Sequence, residues 1–206
     1  MENDPLLIGV TGGIGAGKSM ICRVFQSLGM PVYNADERAK WLMAHDRVLI
    51  EAIKKHFGTD AYLEDNIINS AFLASVVFDN EEKRRLLNGL VHPRVGEDFA
   101  LWVKKNNGSP YLIKEAALLF EAGSYKELDK VINVDAPATL RKRRVLLRDP
   151  HRETKDIDAI MASQFSDRQR REMADYTIIN DDRTLVMPQV LKLHEQFLAM
   201  APEQVE

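Results

Sequence analysis

The segment Gly12-Gly13-Ile14-Gly15-Ala16-Gly17-Lys18-Ser19 restricts this chain more than any other stretch. It fits the pattern of a glycine, any four residues, then Gly-Lys-Ser, and its flanks narrow the fold further. Before it, Leu6-Leu7-Ile8-Gly9-Val10 is a continuous apolar run, as a parallel strand covered on both faces requires. After it, Met20, Ile21, Cys22, Val24, Phe25 and Leu28 follow helical spacing until Gly29. Glycines let successive backbone N–H groups converge on an anion with no Cβ in the way. The helix that follows points its positive end at the same place. Lys18 reaches β- and γ-phosphates, and the Ser19 hydroxyl suits Mg²⁺. Gly13 through Ser19, with Met20, are therefore the expected ATP contacts, and Lys18 is also a catalytic candidate.

Met30-Pro31-Val32-Tyr33 reads as a second strand, so the first residues already run strand, loop, helix, strand. Right-handed crossovers then build a parallel sheet. Further strands are expected at Tyr111 to Glu115, Val131 to Asp135 and Tyr176 to Ile179. One helix is expected from Glu37 to about Phe57, with Trp41, Leu49, Ile53 and Phe57 at apolar positions, and a loop from Gly58 to Asn69. Ala71 to Phe78, Glu81 to Val91 and Arg94 to Lys105 read as three more helices, Pro93 separating the last two. Ala138 to Arg148, Lys155 to Met173 and a closing segment with Val186, Val190, Leu193 and Phe197 complete the helical pattern. The expected fold is α/β: a three-layer sandwich with a five-stranded parallel sheet, helices on both faces and a helical insertion between the second and third strands.

Composition sets the class of partner. With 206 residues and 45% apolar content, a single domain with a sizeable core is expected. A net charge of −3 argues against a general binder of nucleic acid or anionic membrane. No run approaches the ~20 apolar residues of a membrane span, and the polar, acidic start is unlike a signal peptide. Cys22 is the only cysteine, which rules out an internal disulfide and fits a reducing compartment; its place on a helix suits a packed small side chain. A cytoplasmic protein acting on small molecules, as a monomer or small homo-oligomer, is the expectation.

GTPases of the phosphate-loop class need an Asn-Lys-x-Asp guanine reader, and Asn133-Val134-Asp135 lacks both the lysine and the spacing. Small-molecule kinases remain. Here the residues carry a resemblance. The loop followed by Ala35-Asp36, Leu87-Asn88-Gly89-Leu90-Val91-His92-Pro93, Leu118-Leu119-Phe120-Glu121, Arg144 with Arg148-Asp149, Gln164, and Ala174-Asp175-Tyr176 through Asn180 resemble the dephospho-coenzyme A kinase family in order and spacing. The resemblance implies a P-loop kinase that uses ATP and Mg²⁺ to phosphorylate the ribose 3′-hydroxyl of dephospho-CoA, the last step of coenzyme A synthesis. Rival readings are a kinase of another small metabolite, such as a nucleoside monophosphate or sugar acid, and a non-catalytic ATP-binding module. It also implies a nucleotide-binding core (about 1–36 and 109–206), an acceptor-binding insertion (about 37–108) and a lid (about 141–165). Asn34, Lys40, Ala117, Asn66 and Ser70 depart from the family's usual acid, arginine, proline, glycine and arginine.

Asp36 is the expected base, orienting the acceptor hydroxyl and taking its proton; an N-cap role is the plain alternative. Glu115 at a strand end either supports Mg²⁺ alongside Ser19 or stands exposed. Arg141, Arg144 and Arg148 recur on one helical face; Arg144 and Arg148 fall on family positions and are expected lid arginines, whereas Arg141 is expected at the surface. Glu121 contacts the acceptor or braces a loop, and Lys40 and His92 are acceptor-side candidates, His92 otherwise being a cap or turn residue. Asn180 either closes over the adenine or serves a turn.

Overall fold

A computed structural model describes residues 4–64, 67–78 and 80–202. Asn66 lies outside them. The chain divides into two compact units, Met1–Asn34 with Lys105–Glu206, and Ala35–Lys104.

The first unit is built on strands β1 (Leu6–Thr11), β2 (Val32–Asn34), β3 (Tyr111–Glu115), β4 (Lys130–Asp135) and β5 (Tyr176–Ile179). They form one parallel sheet in the order β2-β3-β1-β4-β5, with β1 at its centre. Its helices are α1 (Lys18–Ser27), α6 (Ala138–Arg148), α7 (Thr154–Ser163), α8 (Asp167–Met173) and α9 (Val186–Met200). Strand side chains alternate across the sheet. Ile8 and Val10 of β1, with Ile132 and Val134 of β4, join Ile21 and Phe25 of α1 and Val190 and Phe197 of α9 in one apolar cluster. The opposite face is more polar: Thr11 and Asn133 are register partners there, fully buried, and their side-chain polar atoms have no hydrogen-bond partner among the described residues.

The second unit holds α2 (Ala35–His45), α3 (Arg47–Phe57), α4 (Ser70–Phe78) and α5 (Glu81–Lys105). Leu49, Ile53 and Phe57 of α3 are buried, as are Val91, Val95 and Phe99 of α5. Two ion pairs reinforce it: Arg38 Nε and Nη2 grip both oxygens of Asp98 at 2.8 and 2.5 Å, and Arg94 Nε donates to Asp46 at 2.6 Å. Trp41, expected at an apolar position, is instead 46% exposed. Its ring lies between the Arg38 guanidinium, 4.3 Å from its centroid, and the stacked His45 ring at 4.6 Å.

Three helix boundaries differ from the sequence reading, each for a local reason. The expected helix from Glu37 to Phe57 is broken at Asp46, whose carboxylate accepts from Val48 and Leu49 N–H and starts α3 afresh. The expected helix from Lys155 to Met173 breaks at Gln164 to Ser166, because Ser166 and Gln169 form a capping box for α8. Pro93 does not end a helix; α5 runs through it for 25 residues. Pro93 and Gly89, whose carbonyl the missing N–H would have met, are both exposed, so water can satisfy that group.

Candidate active site

The phosphate loop links the centre of the sheet to α1. Gly17, the cap of α1, has φ 95° and ψ 25°, which a glycine adopts without strain. A Cβ there would also meet Asn180 Nδ2 at 2.4 Å. The loop folds on itself through Ala16 N–H to Gly13 O at 3.0 Å, and Lys18 Nζ closes it by donating to Gly12 O at 3.0 Å.

Neighbouring strands brace this loop. Ser19 Oγ donates to Glu115 Oε1 at 2.7 Å, and Asn34 Nδ2 donates to Glu115 Oε2 at 3.3 Å. An amide at position 34 can donate to that oxygen, which an ionised acid could not. Glu115 is 5% exposed, so the exposed-strand-end reading fails. Burial, with the negative Glu115 beside it, pushes the Cys22 thiol far above its ordinary value. Cys22 is therefore a packed, unreactive side chain.

Just past β5, Asn180 is buried, with its Nδ2 donating to Ala16 O at 2.7 Å. Arg144 Nη2 donates to Asn180 Oδ1 at 3.3 Å and to Asp182, whereas its buried Nη1 has no partner among the described residues. Arg148 is exposed and paired with Asp149, at 2.9 Å through Nη2. Gly15, Gly17, Lys18, Ser19, Met20, Arg144 and Arg148 line a cleft of about 210 Å³. It is cationic on two walls and open to water, an arrangement suited to a polyphosphate.

Arg141 is not at the surface. It is 3% exposed, donates through Nε to Ala136 O at 2.9 Å and through Nη2 to both oxygens of Asp167 at 2.8 and 2.9 Å. A Cβ on Gly13 would meet its Nη1 at 2.1 Å, so this guanidinium backs the phosphate loop. Arg170 is equally buried and also pairs with Asp167. Helical spacing placed Arg141 on a face but carried no information about what covers that face. Gln164 was visible only as part of a resemblance. Its Oε1 accepts from Ile14 N–H at 2.9 Å. Glu121 braces the same region, Oε1 accepting from Phe165 N–H at 2.6 Å.

Asp36, Lys40 and His92 belong to the helical unit and are exposed there. Asp36 is the second residue of α2, in its first turn. An acid in that first turn suits the helix dipole. Lys40 follows Asp36 at i+4 on the same face. His92 lies within α5, so it caps no helix end. Ser70 opens α4.

Comparison with known proteins gives one answer. A family model described as dephospho-CoA kinase matches residues 6–185. A dephospho-CoA kinase of Porphyromonas gingivalis is 34% identical over 197 residues, covering 96% of this chain and 96% of its own. One of Chlorobaculum tepidum is 40% identical over 183 residues, covering 86% and 87%. Among solved structures, a Thermus thermophilus protein superposes with a TM-score of 0.81 at 27% identity, over 97% of this chain and 99% of that one. A dephospho-CoA kinase from Campylobacter jejuni superposes with a TM-score of 0.67 at 25% identity, over 94% and 98%.

Proposed function

The chain belongs to the dephospho-CoA kinase family, and on that premise we propose how its own residues move the terminal phosphoryl group of ATP to the ribose 3′-hydroxyl of dephospho-CoA, giving coenzyme A and ADP. The carrying observation is the braced loop: Lys18 sits 3.0 Å from Gly12 O and Ser19 2.7 Å from Glu115 at the mouth of one cleft.

Phosphoryl transfer asks a protein for positioning and for charge stabilisation. The loop amides and Lys18 hold the β- and γ-phosphates. Arg144 and Arg148, on the last two turns of α6, offer guanidinium donors to charge spreading over the transferred group. Ser19 and Glu115 are two hard oxygen donors, which suits Mg²⁺, an ion that keeps waters and takes phosphate oxygens for its other positions. Bound there, it would neutralise charge between the β- and γ-phosphates. Asp36 orients the 3′-hydroxyl and accepts its proton late in the transfer. Lys40 and His92 share the exposed surface of the insertion and bind the anionic acceptor, while Glu121 steadies the loop behind the phosphates. Asn180 meets the adenine end of ATP. The insertion (about 37–108) holds the acceptor and the segment of about 141–165 serves as a lid.

We place the enzyme in the cytoplasm, a reading that the single, buried cysteine fits, and propose a monomer or small homo-oligomer. No described helix is long and apolar enough to cross a membrane.

A coupled ATP-consumption assay with dephospho-CoA beside adenosine, AMP and shikimate tests the acceptor. Turnover is expected with dephospho-CoA alone. Preference for AMP or shikimate would overturn the assignment.

A further inference from the structure

Between α7 and α8 the chain turns through Gln164, Phe165 and Ser166, and this turn is held from several sides. Gln164 is 8% exposed and ends α7 in extended backbone, φ −92° and ψ 155°. Its amide is engaged at both ends: Oε1 accepts from Ile14 N–H at 2.9 Å, and Nε2 donates to Ala117 O at 3.2 Å. The next amide, Phe165 N–H, donates to Glu121 at 2.6 Å, and Arg170 donates to Phe165 O. Asp167, which opens α8, receives Arg141.

The consequence falls on the peptide between Gly13 and Ile14. On one side its N–H is fixed by Gln164. On the other, the Arg141 and Arg170 guanidiniums lie 2.1 and 2.9 Å from where a Gly13 Cβ would stand. A peptide unit is planar, so fixing one N–H also sets the course of the neighbouring backbone. Only a neutral amide suits the position. A carboxylate would accept from Ile14 but repel both the Ala117 carbonyl and any phosphate nearby. A lysine or arginine would donate to Ala117 but could not accept from Ile14.

We propose that Gln164 is a positioning residue for the nucleotide: by fixing the Gly13–Ile14 peptide it aims the loop amides before ATP arrives, and it ties that aim to the placement of α7. The inference rests on the reading that Gly12 to Ser19 takes the ATP phosphates. A donor array already aimed needs no reorganisation on binding, so its loss weakens nucleotide affinity and leaves acceptor affinity alone.

The test is Gln164→Met, similar in length but without the amide. Calorimetry would give Kd for ATP and, separately, for dephospho-CoA, and amide exchange by NMR would follow Ile14 in the ligand-free enzyme. The expected result is about tenfold weaker ATP binding from the loss of two hydrogen bonds, dephospho-CoA affinity within about twofold, and faster exchange at Ile14 with Ile8 and Val10 unchanged. If the Met variant does not fold, Gln164→Asn keeps the amide, shortens its reach, and is expected to move ATP affinity the same way by a smaller factor. Unchanged ATP affinity in a folded variant overturns the proposal, as does a parallel fall in both affinities. Lys18→Ala separates the two levels. If it abolishes ATP binding while Gln164→Met changes nothing, only the positioning role is lost; if ATP binding survives it, the loop reading beneath is lost as well.

Discussion

In the sheet unit, the charged side chains behind the phosphate loop are buried and fastened to backbone or to one another: Arg141 to Ala136 O and Asp167, Arg170 to Phe165 O and the same carboxylate. In the helical insertion, Asp36, Lys40 and His92 are exposed, and the ion pairs Arg38–Asp98 and Arg94–Asp46 join the helices. On the proposed assignment, with ATP in the sheet unit and the acceptor on the insertion, the difference follows from what each unit binds. A polyphosphate presents the same oxygens every time, so a rigid cradle of backbone amides with buried guanidiniums behind it suits the task, and its scaffold cannot be separated from its site. An acceptor held by exposed side chains leaves scaffold and site separable. Substitutions in the first unit should therefore disturb binding and stability together, and in the second they should disturb one or the other.

The largest expected effect probes the second half of that statement. Asp36→Asn should lower kcat by about a thousandfold, within the range of general acid–base contributions, with ATP affinity and thermal midpoint unchanged. Steady-state kinetics beside a binding titration checks it; unaltered kcat would remove Asp36 from the chemistry. Arg141→Met comes next and probes the first half. Losing the guanidinium bonds to Ala136 O and to Asp167, which keeps Arg170, should cost about 3 kcal/mol in urea denaturation, and nucleotide affinity should fall with it because the loop loses its backing. Stability lost with affinity intact would show that cradle and scaffold are separable after all.

Asp46→Ala is the smallest and should affect stability alone, by about 1–2 kcal/mol for a lost helix cap together with its ion pair to Arg94, with kcat unaltered. Its pH dependence has a definite sign. Burial pushes the Asp46 carboxyl upward, but hydrogen bonds from Arg94, Leu49 and Val48 outweigh it, leaving the carboxyl below its ordinary value. Its stabilisation is therefore complete above about pH 4, the unfolded value, and is lost as pH falls through the lower folded one. The gap between parent and Asp46→Ala should close on acidification and stay constant toward alkali. A gap that widened in acid would contradict the carboxylate's role.

The phosphate loop was readable because its work is done by backbone, and only certain residues let backbone take that path; glycine and the Lys18-Ser19 pair state it directly. The strands were readable because a strand covered on both faces must be apolar throughout, as at Leu6 to Val10. What escaped were effects decided by surroundings. Arg141 recurs with Arg144 and Arg148 at helical spacing, but the spacing is the same whether the face meets water or Asp167. Trp41 sat at an apolar position of a helix whose outer face it occupies. Pro93 sits at an exposed point of α5 where water can meet the freed carbonyl, a circumstance its place in the sequence does not reveal. Two signals were present and unread: Asp46 before Val48 and Leu49, and Ser166 three residues before Gln169, both ordinary helix starts inside a longer apolar pattern. Gln164 had no such signal, since its partners Ile14 and Ala117 lie far away in the chain.

The stacked Trp41 has a practical corollary. The chain has two tryptophans, Trp41 and Trp102, and both fall in the Ala35–Lys104 unit. Intrinsic emission excited in the indole band is thus a one-sided gauge: it originates in the helical unit, where a guanidinium and an imidazole lie close to one chromophore. A spectral change on adding ATP alone would register at the helical unit, which holds both indoles.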